Sequence, residues 1–561
     1  MPRRPAPRPP VALGAALVLL CCGDLVAQPT TTVITHGYQL DATFPDWPVV
    51  MGSRIADRSS PPGTVLVLDP ATGGWSPVYG SNDPAGAIVL CFDWAECSAW
   101  TPGDGTRVGT ALAAADTLHA SLRDPRLLGP LAGASVLAAP GGGDRPLHLI
   151  GHSRGASLNT AVVERLVGAG IAVDHLTFLD PHPIGPSANL LDPAMVVHEG
   201  VVFADNYYRA DGCDIDHGCF FFDFDGEPVA GAWNLDLGLD AFGFVDNRLS
   251  PCSLEHILVH TWYHGTIDLL AGTDGDCSID RQDWYTAQGA GEGFFFSQLG
   301  GGLAQRPCGP GGGCADAGRV PVAPTPAIVN GDFEFGSGND AGWLWHGGGG
   351  PGVIAADASG PHLELNGGAS WRRHDRFHLP SDAAELTCSI RVLDPDPGAV
   401  LEILLRDDGI GPEELLGSRS LSTATGWQTE AFDLAAVPLD RAVTLEVRVS
   451  PANTAARVSL DDFDLTRGSL FRRGDCNEDT SVDLADPISL LNALFGGAPL
   501  GSCASACDAN DDGALDISDP VTILEHLFGG GGPLPPPSPA CGPDPSPAGL
   551  TCLSAGACLA P

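Results

Sequence analysis

Gly151-His152-Ser153-Arg154-Gly155 is the stretch of this chain best suited to chemistry, because it sets a serine hydroxyl between two glycines where an apolar run gives way to a helical one. Such a turn folds tightly and leaves the hydroxyl exposed. A hydroxyl is a weak nucleophile at neutral pH, so it needs a base, a carboxylate to orient that base, and donors for an oxyanion. The candidate acid is Asp180, which closes the apolar run His175-Leu176-Thr177-Phe178-Leu179. Asp174 and Asp192 end no strand-like run, and loop or helix-cap roles suit them better. The candidate base is His256, ahead of His260 and His264 at four-residue spacing. The pattern predicts a helix from Ile257 onward, which carries the later two histidines on its body and leaves His256 on the loop before it. For the oxyanion, the candidate donors are the backbone N–H of Arg154, just after the nucleophile, and that of Tyr38, which follows the strand-like Thr31-Thr32-Val33-Ile34-Thr35 and then His36-Gly37.

These residues need a scaffold that brings several strand ends to one edge. Leu147-His148-Leu149-Ile150 before the serine, the helical pattern after it, and Ala87 to Phe92 ahead of a helix-like Thr110 to Leu122 alternate strand with helix. That alternation predicts a mainly parallel sheet with helices on both faces. Between Asp205 and Asp240 a stretch rich in Asp, Cys and Phe lacks periodicity and reads as a lid or substrate loop. Its Asp211, Asp214, Asp216, Asp223 and Asp225 read first as a solvated loop and second as a calcium site, and Phe220, Phe221, Phe222 and Phe224 as core or as the lining of an acyl site.

Residues 28–300 resemble the α/β-hydrolase superfamily, and within it the secreted lipase-like esterases, through His36-Gly37-Tyr38, the serine turn, and an acid one strand later. Phe92-Asp93-Trp94, Gly231-Ala232-Trp233-Asn234 and His256 through Tyr263 look like the same group, and related esterases carry His, Val three residues on, then Trp-Tyr, matched here by His256, Val259 and Trp262-Tyr263. The resemblance implies ester hydrolysis through an acyl-enzyme, with no cofactor for catalysis.

The 561 residues exceed one core, and the first 27 read as a secretory signal: Arg3, Arg4 and Arg8, an apolar run from Val11 to Leu20, and a cleavage point after Ala27. Cys21 and Cys22 raise a lipoprotein alternative, against which no small residue immediately precedes Cys21. The leader's apolar run is too short to span a bilayer, and no later segment reads as a membrane helix. Two of the 17 cysteines lie in that leader, leaving an odd number. Cys91 with Cys97, Cys213 with Cys219, and Cys308 with Cys314 are expected as loop-stapling disulfides of an extracellular protein, and Cys388, isolated in a strand-like run, as the free thiol. A net charge of −41, without a single lysine, disfavours nucleic acid and anionic membranes as partners.

Residues 301–326 are rich in Gly and Pro and read as a linker. Residues 327–467 form an all-β run, with strand-like Ala384 to Val392, Leu401 to Leu405, Val443 to Val449 and Val458 to Leu465. Opening on Asn330-Gly331-Asp332-Phe333-Glu334 and closing near Ser459-Leu460-Asp461-Asp462-Phe463, this run resembles the jelly-roll sandwiches of carbohydrate-binding modules. The resemblance implies a polysaccharide partner, with Trp343, Trp345, Trp371 and Trp427 as candidates to stack on sugar; about half of them or more suit the core instead, and a spacer domain stays open beside a sugar binder.

Within 468–531 a motif repeats at an offset of 33: Asp475, Asn477, Asp479, Asp483 and Asp486 return as Asp508, Asn510, Asp512, Asp516 and Asp519. Oxygen side chains at loop positions 1, 3, 5, 9 and 12 match an EF-hand-like calcium loop, with Asp in place of the final Glu. The pair resembles the type I dockerin module, which implies structural Ca2+ and a cohesin-like or cell-surface partner. Gly513 fills the turn position of the second loop and Thr480 that of the first, so the first site is expected to bind more weakly. Cys503, Cys507 and the Pro- and Cys-rich tail at 532–561 depart from the usual module.

The expectation is a secreted three-domain serine hydrolase of carboxylic esters. Two other readings stay open: a catalytically silent extracellular binding or scaffold protein, and a hydrolase of amides or thioesters.

Overall fold

A computed structural model describes residues 29–39, 43–68, 74–98, 111–137, 145–182, 192–209, 226–237, 255–278, 292–300 and 318–322, most of 328–468 and of 470–542, and residues 544, 550, 552 and 558. The proposed leader, the aspartates and phenylalanines of 211–225, and the pairs Cys213 with Cys219 and Cys308 with Cys314 lie outside the described residues.

The N-terminal unit is built on an eight-stranded sheet. Its strands are β1 (Thr31–Thr35), β2 (Thr64–Leu68), β3 (Trp75–Gly80), β4 (Ile88–Phe92), β5 (Leu147–His152), β6 (Val173–Leu179), β7 (Val201–Tyr208) and β8 (Trp233–Asp236). They run in the order β3-β2-β4-β1-β5-β6-β7-β8, every neighbouring pair parallel except the antiparallel β2–β3. The expected parallel sheet is present, and β7 and β8 occupy part of the stretch read as aperiodic.

Strand residues point alternately to the two faces of a sheet. Here Val33 and Leu149 bury against the helices α2 (Ala111–Arg123) and α3 (Arg154–Gly168) on one face. Ile34 and Ile150 bury on the other, against α1 (Trp47–Asp57) and α4 (Glu255–Ile267). Because both faces are covered, the strands read as near-continuous apolar runs. β1 and β4 are buried along their whole lengths.

The second unit is a β-sandwich of two antiparallel sheets. One runs Val353–Asp357, Gly360–Asn366, Arg457–Arg467, Ala383–Asp394, Gln428–Asp433; the other runs Glu413–Ser420, Val400–Arg406, Arg441–Ser450, Trp371–His374, Trp343–Trp345. Leu386, Ile390 and Leu460 from the first sheet and Ile403, Leu405 and Val447 from the second meet in its core. It docks on the first unit through a shared ionic cluster: Arg126 bonds Asp124 and Asp407, Arg441 bonds Asp407, and the Ala442 N–H donates to Asp124.

Two loop-helix units follow, with helices α5 (Ala485–Gly496) and α6 (Ser518–Phe528). A Cys476–Cys507 disulfide joins the first loop to the segment just before the second. Cys503–Cys552 and Cys541–Cys558 then fold the tail back onto the pair, and disulfides among the described residues fit an oxidising compartment.

Three expectations need correction. Cys91 is a free, fully buried thiol pointing at the Pro48 carbonyl, 3.2 Å away, and not half of a disulfide with Cys97; its place in a strand buried on both faces leaves no loop to staple. α4 begins at Glu255, so His256 sits in the first helical turn and not on the loop before it. The segment 318–322, read as linker, pairs with the first unit through Val320 and His198. Cys388 is free and buried, as anticipated, and burial pushes its thiol up to about 12.

Candidate functional site

Ser153 stands between β5 and α3 with φ +57° and ψ −127°, a backbone region costly to any residue with a Cβ. Strain of roughly 1–3 kcal/mol is kept only where the surroundings enforce it. Here the Ser153 N–H donates to the Leu179 carbonyl at 2.9 Å, tying the turn to the end of β6. Parallel register pairs His152 with Leu179, which sets Asp180 beside Ser153 at the same sheet edge.

Asp180 also has a positive φ, +44°. Its backbone N–H donates to the Tyr207 carbonyl at 2.7 Å, and its Oδ1 accepts from the Arg209 N–H at 2.9 Å. Its Oδ2 lies 2.6 Å from His256 Nδ1. The carboxylate is 1 % exposed and the imidazole 15 %. A carboxylate accepts only, so Nδ1 carries the proton in the neutral ring and Nε2 is left basic. His260, the competing base, takes a different partner: its Nδ1 is 3.2 Å from Asp274, and its ring stacks on Trp47 with centroids 4.5 Å apart. His264 is fully buried, which drags its pKa down to about 4.

The segment expected to hold the oxyanion passes directly over the serine. A Cβ built on Gly37 would fall 2.6 Å from Ser153 Cβ, so only glycine permits this approach, and Tyr38 is the next residue. Gly155 is equally confined, its Cβ position lying 2.6 Å from the carbonyl oxygens of both Thr35 and His36. Arg154 opens α3, and the first N–H groups of a helix have no intrahelical acceptor. Its side chain turns into the protein and donates to Asp192 through Nε and Nη2, at 2.6 and 2.8 Å, with the guanidinium 5.3 Å from the Trp94 ring. Trp94 Nε1–H in turn donates to the His36 carbonyl at 2.8 Å.

Asp192, set aside as a loop residue, is therefore the counter-ion of a buried arginine that braces the loop over the serine. Nothing in its sequence neighbourhood announces this, since the partner lies 38 residues away. Asp174 stands away from the serine turn, its Oδ2 accepting from the Leu147 N–H at the start of β5. His36 is buried, and burial lowers its pKa to about 4.

The two repeat loops fold alike. Asp475 accepts from the Asp479 and Thr480 N–H groups, and Asp508 from those of Asp512 and Gly513. Asp486 accepts from Asn477 and Asp483, and Asp519 from Asn510 and Asp516. Burial first, with Asp475 and Asp479 adding to it, lifts Asp486 to about 6. Carboxylate oxygens are the donor type a hard cation takes. Among the described residues, no three or more His, Cys, Asp or Glu side chains converge as a set that could hold a metal ion. Thr480 adopts φ +80°, the same left-handed turn that Gly513 adopts at +80° without a Cβ.

Of the four tryptophans, Trp343 is core, its Nε1–H donating to the Asn330 carbonyl. Trp427 is half-buried beside the five-stranded sheet, with Arg391 4.5 Å from its ring centre and His362 edge-on at 5.5 Å. The side chains of Trp345 and Trp371 lie outside the described residues.

No family model and no curated protein matches the chain. Solved structures that match include a carbohydrate-binding module, TmCBM61, in complex with beta-1,4-galactotriose, at 14% identity and a TM-score of 0.21 over 26% of this chain and 99% of that one. A family 11 carbohydrate-binding module from Clostridium thermocellum matches at 11% and 0.19 over 22% and 89%. The K3 cleaved adhesin domain of Lys-gingipain from Porphyromonas gingivalis matches at 14% and 0.19 over 24% and 94%. At such scores the likeness carries no argument about activity or ligand. No described helix is long and apolar enough to cross a membrane.

Proposed function

We propose that the chain is a serine hydrolase of carboxylic esters. The observation that carries this reading is the 2.6 Å contact of Asp180 with His256 Nδ1 at the sheet edge where the strained Ser153 stands under Gly37. In this reading Ser153 Oγ attacks the ester carbonyl carbon while His256 Nε2 takes the hydroxyl proton. Asp180 holds the imidazole in the required tautomer and favours the imidazolium that forms. The N–H groups of Tyr38 and Arg154 hold the oxyanion, where one donor is worth about 10²–10³ in rate. His256 then protonates the departing alcohol, leaving an acyl-serine, and a water deprotonated by His256 releases the acid. An amide or thioester would meet the same groups.

A panel of chromogenic esters of graded acyl length, turned over by the secreted chain and by Ser153→Ala, tests the reading. Hydrolysis by the wild type and its loss in the variant are expected; equal hydrolysis by both sinks it. The catalytically silent binding protein forecasts no turnover by either. Carbohydrate binding by the sandwich is favoured by one feature, the half-exposed Trp427 beside Arg391 and His362. Ca2+ is the cation proposed for the Asp475 and Asp508 loops, as a structural ion with no part in the ester chemistry. A cohesin-like or cell-surface protein is the partner proposed for α5 and α6, which expose Ile488 and Phe495 and, 33 residues on, Val521 and Phe528.

A further inference from the structure

His152, the residue before the serine, has no part in the chemistry above, yet its ring is buried against the candidate base. Its Nε2 lies 3.0 Å from the main-chain carbonyl oxygen of His256. The ring centroids of the two histidines are 4.5 Å apart. A carbonyl can only accept, so Nε2 must carry the proton. Burial, with His256 and His260 nearby, holds the His152 pKa well below the usual histidine value, and the ring stays neutral. His260 meets it edge-on at 4.8 Å, and Trp47 at 5.9 Å. His260 is itself fixed by Asp274, whose Oδ1 accepts from the Cys277 N–H at 2.6 Å. The His152 ring therefore sits among three ring neighbours, His256, His260 and Trp47, with its Nε2 turned to the His256 carbonyl.

We propose that His152 is a positioning residue, whose Nε2–H grips the backbone of His256 and holds the base at a fixed distance from the adjacent Ser153. Asp180 orients the ring of His256 across 76 residues of chain, and His152 anchors its main chain across 104. The Asp180 contact fixes the rotation of the ring, and the His152 contact fixes where the first turn of α4, and with it the His256 Cα, stands relative to the end of β5. A misplacement near 1 Å in such a pair costs about a hundredfold in rate. The proposal rests on the reading of Ser153, Asp180 and His256 as the reacting groups.

The test compares His152→Leu, His152→Gln and His152→Asn in the full chain, by kcat and KM on the best ester of the panel and by thermal melting. A glutamine amide reaches the place of Nε2 and can donate; an asparagine amide reaches only that of Nδ1. Expected are a kcat lowered roughly 10- to 100-fold in His152→Leu and His152→Asn with KM little changed, and most of it restored in His152→Gln. Full kcat in His152→Leu or His152→Asn overturns the proposal, as does a glutamine variant as slow as the leucine at equal melting temperature. Selective 15N-histidine spectra of the wild type need no variant to fold: a neutral Nε2–H tautomer for His152 is expected, and an Nδ1–H tautomer overturns the proposal. Ser153→Ala in the same series separates the two failures. Activity surviving there removes the triad reading itself; a dead Ser153→Ala beside an unimpaired His152→Leu removes the positioning role alone.

Discussion

At the scale of single residues, the two competing histidines differ in partner. His256 faces Asp180 at the edge that carries Ser153, whereas His260 faces Asp274 and Trp47 within the helix packing. His256→Ala should lower ester turnover by several orders of magnitude in a folded protein, as loss of one member of such a triad does. His260→Ala should mainly lower the melting temperature, because it empties a packed site beside Trp47. A fully active His256→Ala alongside a folded but dead His260→Ala would reverse the assignment. His36 adds a pH dependence. Unfolded, it takes a proton near 6.5; folded, burial delays that to about 4. The unfolded state thus binds more protons between those values, so the folded state loses stability as the pH falls through the window. Melting of the wild type relative to His36→Gln should therefore drop from pH 6.5 to 4, other titrating groups cancelling in the difference. A gap that does not change with pH would contradict it.

At the scale of elements, the contact between the β1 loop and the start of α3 governs the expected oxyanion site. A Cβ on Gly155 would press on the Thr35 and His36 carbonyls at 2.6 Å, moving the loop that carries Gly37 and Tyr38. Gly155→Ala should cut kcat by roughly a hundredfold, on the scale of one lost oxyanion donor, with a smaller change in KM; a wild-type kcat would detach this loop from the chemistry. Much of this geometry was legible beforehand. Continuous apolar runs such as Ile88 to Phe92 mark strands buried on both faces, and glycines beside a serine mark a turn. What was not legible depends on long-range pairing. The Arg154–Asp192 pair, the bracing of His36 by Trp94, and the His152 contact each join residues 38 to 104 positions apart. The start of α4 at Glu255 leaves no trace in the apolar pattern, which begins at Ile257, the residues before it being too few for periodicity to register. The free state of Cys91 is likewise hidden, since sequence proximity to Cys97 says nothing of whether the thiol faces a loop or the sheet.

At the scale of the whole molecule, three units share one chain with different needs. The sandwich is clamped to the first unit by Arg126, Asp124, Asp407 and Arg441, so a polysaccharide held near Trp427 would be carried by the same body as Ser153. The paired loops bring carboxylates together against their own repulsion, with Asp486 already lifted to about 6. Calorimetry on the full chain should register Ca2+ uptake, and chelator should lower a melting transition that Asp508→Asn together with Asp519→Asn also lowers. An unchanged transition with chelator would leave the loops as turns. Catalysis of the proposed kind requires above all an activated Ser153 hydroxyl. The most direct measurement is treatment of the intact chain with a serine-directed phosphonate ester, followed by mass spectrometry of its peptides. The account predicts a single stoichiometric adduct on the peptide carrying Ser153, absent from Ser153→Ala and strongly slowed in His256→Ala; a folded wild-type chain that takes up no phosphonate, or takes it up elsewhere, would contradict it.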